Sequence, residues 1–252
     1  MRSFGAFYPP SVLVYSGIVA FLGGLLSVLA PPRWLGFSRR YQGPLTGVLA
    51  GVALFGAGWL WPVPTFTTPA PATRLDAFMP VYHFEERHEI LIDAPVERVR
   101  AALDQVSFAD IGVMKTLGRI RNAFVGGGRA VAAPVKPIVA TVQDSRSGFF
   151  LLDDTPREFV FGLAGQPWNN AAVRLAPAEF RTWSQAEQIK VAASFRIEDA
   201  GTGRTRVITE TRIAASDPRA SSKMAKYWAL VYPGSGLVRR SLLKAVRARA
   251  IM

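Results

Sequence analysis

Apolar and polar side chains alternate from Val81 to Ile92, which is the pattern of a β-strand with one buried face. The more apolar face is expected to point inward and carries Tyr82, Phe84, Glu86, His88, Ile90 and Ile92. From Val96 the apolar positions recur every third or fourth residue, and Pro95 suits the first turn of a helix. The segment therefore predicts a strand that leads directly into a helix.

The later segments extend this pattern. A second short helix is expected from Ser107, followed by a loop or a flexible gate at 126–137. Alternation then predicts antiparallel strands in the segments GFFLLDD, REFVFGLAG, KVAASFRIED and RVITETRIAA. A long helix is expected at about 218–250, with a kink or break at 233–236 (PGSG). These elements predict an α+β fold in which an antiparallel sheet curves around the last helix.

Two long uncharged runs precede this domain. The runs at about 11–30 and 44–63 are each long enough, as helices, to cross the hydrocarbon core of a membrane. They predict a transmembrane hairpin over residues 1–63, with a buried soluble helix as the alternative for either run and a cleaved signal peptide as the alternative for the first.

The flanking segments predict the topology. The loop between the runs carries Arg33, Arg39 and Arg40 without an acidic residue, so the positive-inside rule places it in the cytoplasm. The domain that follows is then expected on the outer side of a bacterial plasma membrane, in a multi-pass protein. Residues 64–79 are rich in proline and threonine and are expected to form a semi-extended linker.

Composition narrows the possible partners. The 252-residue chain contains no cysteine, which excludes disulfides, thiolate catalysis and cysteine-based metal sites. Its net charge is +12. A basic domain beside a membrane is attracted to anionic lipid headgroups. Nucleic acid is not expected as a partner, because no helix-turn-helix, zinc-finger or RNA-recognition signature is present.

Three segments resemble the START-like superfamily, also called SRPBCC or Bet v 1-like, whose fold is the helix grip. They are ILIDAPVERVRAAL, FLLDDTPREFVFGLAGQPW and TRVITETRIAASDPRASSKMAKYWALVYPGSGLVRRSLLKAVRARA, and they are similar to an uncharacterised bacterial branch of that superfamily. The resemblance implies a START-like helix-grip domain over residues 80–252, with a cavity for apolar molecules between the curved sheet and the last helix. The two N-terminal runs depart from the usual soluble member.

The resemblance and the strand faces together predict a ligand-binding cavity. Its expected lining is Tyr82, Phe84, His88, Phe159, Phe161, Phe195, Thr209, Thr211, Trp228 and Val231. Basic residues near the end of the last helix are expected to contact the membrane surface, namely Arg239, Arg240, Lys244 and Arg247. Their alternative is a solvated outer face.

Glu86 and His88 are the candidates for chemistry. They lie two residues apart on one strand face and could serve as a proton relay or as a polar anchor for a ligand headgroup. A structural polar pair, satisfied by neighbours such as Arg212 or Thr209, is the alternative. No metal site or cofactor is expected, since the only two histidines lack clustered carboxylates.

Three functions remain open at this point. The first is membrane-anchored binding of an apolar small molecule or lipid, without catalysis. The second is an enzyme of the cyclase or dehydratase type that acts on a polyketide-like or isoprenoid-like substrate through Glu86 and His88. The third is a membrane scaffold or assembly factor.

Overall fold

The structure is a computed structural model that describes residues 8–29, 41–113, 116–120, 136–144 and 147–252. The chain forms two compact units. One contains the sheet and spans residues 63–224 and 234–252, and the other contains residues 7–62 together with the helical segment 225–233. The predicted loop at 126–137 lies almost wholly outside the described residues.

The first unit is built on a six-stranded antiparallel sheet. Its strands are β3 (Phe84–Ile92), β4 (Phe150–Asp154), β5 (Glu158–Gln166), β6 (Ala171–Val173), β7 (Ile189–Asp199) and β8 (Thr205–Ala215). They are ordered β3-β8-β7-β5-β4, and β6 pairs with β5. The predicted strands and the α+β class are thus confirmed, and the sheet is curved with a long C-terminal helix, α6 (Pro218–Ala250).

The inner face of the sheet packs against helices. A core cluster joins inner-face residues such as Ile92 and Phe159 to Leu242 and Val246 on α6. Helices α4 (Val96–Gln105) and α5 (Ile138–Gln143) contribute further apolar residues to this cluster. As predicted, α4 follows β3 directly, while the segment after Ser107 opens with a 3₁₀ turn, Phe108–Asp110.

The outer face is covered by the segment that the sequence suggested was a linker. Residues 64–79 contain β1 (Phe66–Thr67), which pairs with β2 (Val81–Tyr82), and α3 (Arg74–Phe78). Leu75 and Met79 are fully buried in a second core cluster with Phe180. This segment is therefore folded against the sheet rather than extended, because it supplies apolar side chains that the outer face needs.

The helix α6 continues through residues 233–236, where a kink or break was expected. Pro233 has no amide hydrogen and leaves the carbonyl of Ala229 without its intrahelical donor. The helical hydrogen bonds before and after this turn nevertheless continue, and α6 begins at a well-formed cap in which Asp217 accepts a hydrogen bond from the amide of Ala220.

The second unit contains two apolar helices, α1 (Pro9–Leu26) and α2 (Gln42–Trp59), which pack side by side. Glycines allow this close approach, because a side chain would collide with the facing helix. A Cβ atom added at Gly24 would lie only 2.6 Å from the amide nitrogen of Val48. Tyr15 donates a hydrogen bond of 2.7 Å to the carbonyl of Leu230 in the α6 segment of this unit.

Of the described helices, one is long and apolar enough to cross a membrane, namely α1, and 28% of its residues are buried. An apolar helix near the N-terminus is also typical of a signal sequence. The second predicted span, now α2, falls short of the same criterion, because Gln42, Pro44 and several glycines lower its hydropathy. The predicted transmembrane hairpin is therefore reduced to one candidate span.

Candidate functional site

The strand register arranges the inner face of the sheet in rows of neighbouring side chains. One row runs from Glu86 on β3 through Thr211 on β8 and Ala193 on β7 to Phe161 on β5. Directly paired residues point to the same face, so these four side chains are neighbours. Along the row their chemistry changes from a carboxylate, through a hydroxyl and a methyl group, to an aromatic ring. The adjacent row consists of His88, Thr209, Phe195 and Phe159.

Glu86 is the centre of a buried polar cluster. Its side chain is fully shielded from solvent, and its Oε1 accepts a hydrogen bond from Nε2 of His88 at 2.9 Å. Its Oε2 accepts from the hydroxyl of Ser235 at 2.6 Å and from Nε of Arg239 at 3.2 Å. Arg239 also donates from Nη1 to the hydroxyl of Thr209, at 3.1 Å. Both carboxylate oxygens are thus occupied by donors from β3 and α6.

These contacts decide the charge of Glu86. Burial raises the pKa of this carboxyl. The hydrogen bond from His88, the charge of Arg239 and the hydrogen bond from Ser235 lower it, and their combined effect is larger than that of burial. The net effect is a pKa below the ordinary value, so that Glu86 is ionised at neutral pH. The carboxylate and the guanidinium of Arg239 then compensate each other's charge.

The turn of α6 above this cluster is made of small residues. A Cβ atom at Gly236 would lie 3.3 Å from Oε1 of Glu86 and 3.4 Å from Nη1 of Arg240. A larger side chain at this position would press on the carboxylate. The PGSG segment therefore matters for the close approach of α6 to β3, rather than for a break in the helix.

The other end of the inner face is apolar and partly open. Several apolar side chains there are only half-buried: Phe149, Leu151, Phe161, Leu163 and Val191. The ring of Phe161 is surrounded by aromatic neighbours, with centroid distances of 5.7 Å to Phe149, 5.6 Å to Phe159 and 6.3 Å to Phe195. This end offers an apolar surface to a guest molecule, next to the closed polar cluster.

The structure brings together most of the predicted lining. Seven of the predicted residues share the inner face: Phe84, His88, Phe159, Phe161, Phe195, Thr209 and Thr211. Tyr82 instead packs in the outer cluster with Leu75, because the strand is interrupted at His83 and the alternation shifts there. Trp228 and Val231 belong to the unit of α1 and α2, where the ring of Trp228 lies 5.6 Å from that of Tyr232.

The expected partners of the Glu86–His88 pair are also corrected. Arg212 points to the outer face, where it forms ion pairs with Asp76 and Glu210, each at 2.7 Å. Thr209 is joined to the cluster by the hydrogen bond that it accepts from Arg239. Ser235 and Arg239 were not predicted as partners, because they lie about 150 residues away along the chain and nothing in their spacing points to Glu86.

The four basic residues of α6 divide into two groups. Arg239 is engaged with Glu86 and is mostly buried, so it is not available to a membrane surface. Arg240, Lys244 and Arg247 are exposed and follow one another at helical spacing. Leu237 and Ile251, which are 45% and 53% exposed, continue the same stripe at its two ends.

Comparisons with known proteins add little. No protein-family model and no curated protein matches the sequence. A hypothetical protein from Helicobacter pylori is similar at 10% identity and a TM-score of 0.36, over 73% of this chain and 98% of that one. A protein from Thermus thermophilus is similar at 12% identity and a TM-score of 0.25, over 67% of this chain and 97% of that one. Similarities this low assign no family to the chain.

Proposed function

We propose that the chain binds an apolar small molecule or lipid on the inner face of its START-like, helix-grip domain and that it does so at a membrane. One observation carries the proposal: the half-buried apolar side chains around Phe161 continue directly, through Ala193, into a buried polar cluster. Apolar walls with a few fixed polar groups are typical of sites for small amphipathic ligands.

The N-terminal unit supports the membrane location. We take α1 as an anchor, because it is uncharged, apolar and largely unburied. The sequence places the arginine-rich segment between α1 and α2 in the cytoplasm of a bacterium. The predicted location of the sheet domain on the outer side of the plasma membrane additionally requires that α2 crosses the membrane.

The state of Glu86 favours binding over catalysis. A general acid or base must exchange a proton with a bound substrate. Both oxygens of Glu86 are already occupied by donors, and its pKa lies below the ordinary value, so this carboxylate is a poor proton acceptor for a guest. The cluster is better suited to hold α6 on the sheet beside the ligand.

Extraction of the purified full chain tests the proposal. Organic extraction followed by mass spectrometry is expected to release about one apolar molecule per chain. Ala193→Leu fills the middle of the row and is expected to reduce the bound amount at least fivefold, while the melting temperature stays unchanged. Ala172→Leu adds the same volume at an exposed strand position and serves as the control.

Two results contradict the proposal. One is a wild-type chain that releases no apolar molecule. The other is a large drop in the melting temperature of Ala193→Leu, because a well-packed interior has no room for the added carbons, whereas an empty groove accommodates them.

A further inference from the structure

Resting on the proposed function, we infer that the ligand carries an uncharged hydrogen-bond acceptor, such as a ketone or aldehyde carbonyl, which binds the hydroxyl of Thr211. This names the polar end of the ligand and the residue that recognises it.

The hydroxyl of Thr211 is buried without a hydrogen-bond partner in the described part of the chain. Thr211 is 3% exposed. An unpaired buried hydroxyl destabilises the folded chain, so such a group calls for a partner from outside the chain. Its place in the row, between Glu86 and Ala193, puts this hydroxyl on the inner face, at the boundary between the polar cluster and the apolar end.

The neighbouring threonines of β8 show that the strand does not leave hydroxyls unpaired in general. Thr205 donates to the carbonyl of Ala94 at 2.7 Å, and Thr209 accepts from Arg239 at 3.1 Å. All three point to the same face, because they are separated by even numbers of residues. Thr211 is therefore the hydroxyl of this face that a ligand can use.

The surrounding charges select an uncharged group. Glu86 pairs directly with Thr211 across the strands, so a carboxylate or phosphate bound at this hydroxyl would lie beside a buried negative charge. Arg239, the mostly buried cation of this cluster, is already engaged by Glu86 and Thr209. A cationic group would in turn compete with Arg239 for the carboxylate. A neutral carbonyl accepts the hydroxyl proton without either conflict.

Competition with a neutral fluorescent probe tests this inference on the full-length protein in detergent. The probe is N-phenyl-1-naphthylamine, and its fluorescence is measured with the wild type and with Ala193→Leu. Subtracting the second signal from the first removes the fluorescence of probe bound to detergent micelles. Dodecan-2-one, dodecanoate and dodecylamine, which share a chain length, are then titrated at pH 8. The ketone is expected to displace the probe at the lowest concentration.

Substitutions at Thr211 assign the preference to its hydroxyl. Thr211→Val is expected to raise the ketone concentration needed by roughly five- to tenfold, as the loss of one hydrogen bond does, and to change the values for the other two ligands less than twofold. Thr211→Ser is expected to restore the preference.

The outcomes separate the two proposals. If dodecanoate or dodecylamine competes as well as the ketone, or if Thr211→Val weakens all three equally, the inferred ligand class is wrong while apolar binding stands. If no probe signal is sensitive to Ala193→Leu, the proposed function fails as well.

Discussion

At the scale of single residues, the site depends on how polar groups are satisfied within an apolar interior. Glu86 has three donors for two oxygens, whereas Thr211, beside it, has none in the described part of the chain. The first arrangement stabilises a buried charge, and the second costs stability unless a ligand is present. Removing the polar group should therefore lower the stability of the chain at Glu86 and raise it at Thr211.

Glu86→Gln is expected to destabilise the chain by about 2–3 kcal/mol at pH 7, because it leaves the mostly buried Arg239 without its counter-charge. The pKa of Glu86 is lower in the folded chain than its ordinary value, so the stability from its ionised form is present above about pH 4.3 and is lost as the pH falls through the folded-state value. The difference between wild type and variant should thus shrink toward pH 3 in denaturant titrations.

Glu89→Gln provides the matched control for this prediction. Glu89 lies on the same strand, but its ion pair with Arg87 is exposed, and such pairs contribute less than about 1 kcal/mol. A pH-independent difference for Glu86→Gln, or an equal loss in both variants, would contradict the assigned role of the Glu86 carboxylate.

Thr211→Val is expected to stabilise the ligand-free chain by about 1 kcal/mol, because it replaces an unpaired buried hydroxyl with a methyl group of similar size. Thr205→Val on the same strand removes the hydrogen bond to Ala94 and is expected to destabilise the ligand-free chain by a similar amount. Thermal melting of chains from which lipid has been extracted compares the two. Equal destabilisation would mean that Thr211 has a partner within the protein.

At the scale of elements, the last helix connects two features that the sequence suggested separately. The small residues at 233–236 looked like a helix break, and the alternation in β3 suggested an inward Glu86. In the folded chain these are one feature: the small turn lets Ser235 and Arg239 reach the carboxylate. The helix keeps its course because tertiary contacts on either side outweigh the cost of one proline.

Gly236→Val and Gly234→Val test this interpretation of the turn. Both substitutions change helix propensity alike, but a Cβ at Gly236 meets Glu86 and Arg240, whereas one at Gly234 meets only the flexible end of Leu117, at 3.4 Å. Gly236→Val is therefore expected to destabilise the chain by roughly 1–3 kcal/mol more than Gly234→Val and to have the lower melting temperature of the two variants. Equal effects would show that α6 does not need a small residue above Glu86.

At the scale of the whole molecule, the sequence predicted what local patterns encode. Alternation located β4, β5, β7 and β8, and helical spacing located α4 and α6. It could not show that residues 225–233 belong to the compact unit of α1 and α2, or that residues 64–79 fold onto the sheet. Both depend on contacts between distant segments. From Phe84 onward, the sequence correctly predicted which side chains of β3 point inward. Tyr82 was placed on the wrong face, because the strand is interrupted at His83 and the alternation of the two faces shifts there.

The exposed stripe of α6 provides a prediction for the chain in a bilayer. Arg240, Lys244 and Arg247 lie between the exposed Leu237 and Ile251. Cations between apolar residues favour an anionic lipid surface, at about 1 kcal/mol per basic residue. In nanodiscs, hydrogen exchange at 237–251 should slow as the phosphatidylglycerol fraction rises, and this protection should disappear in high salt.

Neutralising all three residues to glutamine is expected to abolish the dependence on anionic lipid, since it removes the charges that the headgroups attract. The control replaces Arg157, Arg174 and Arg181, which are equally exposed but lie outside α6. It carries the same change in net charge and should retain the response if the effect depends on where the charges lie. A similar loss in both triple variants would mean that the net charge of +12, rather than the α6 stripe, draws the chain to anionic lipid.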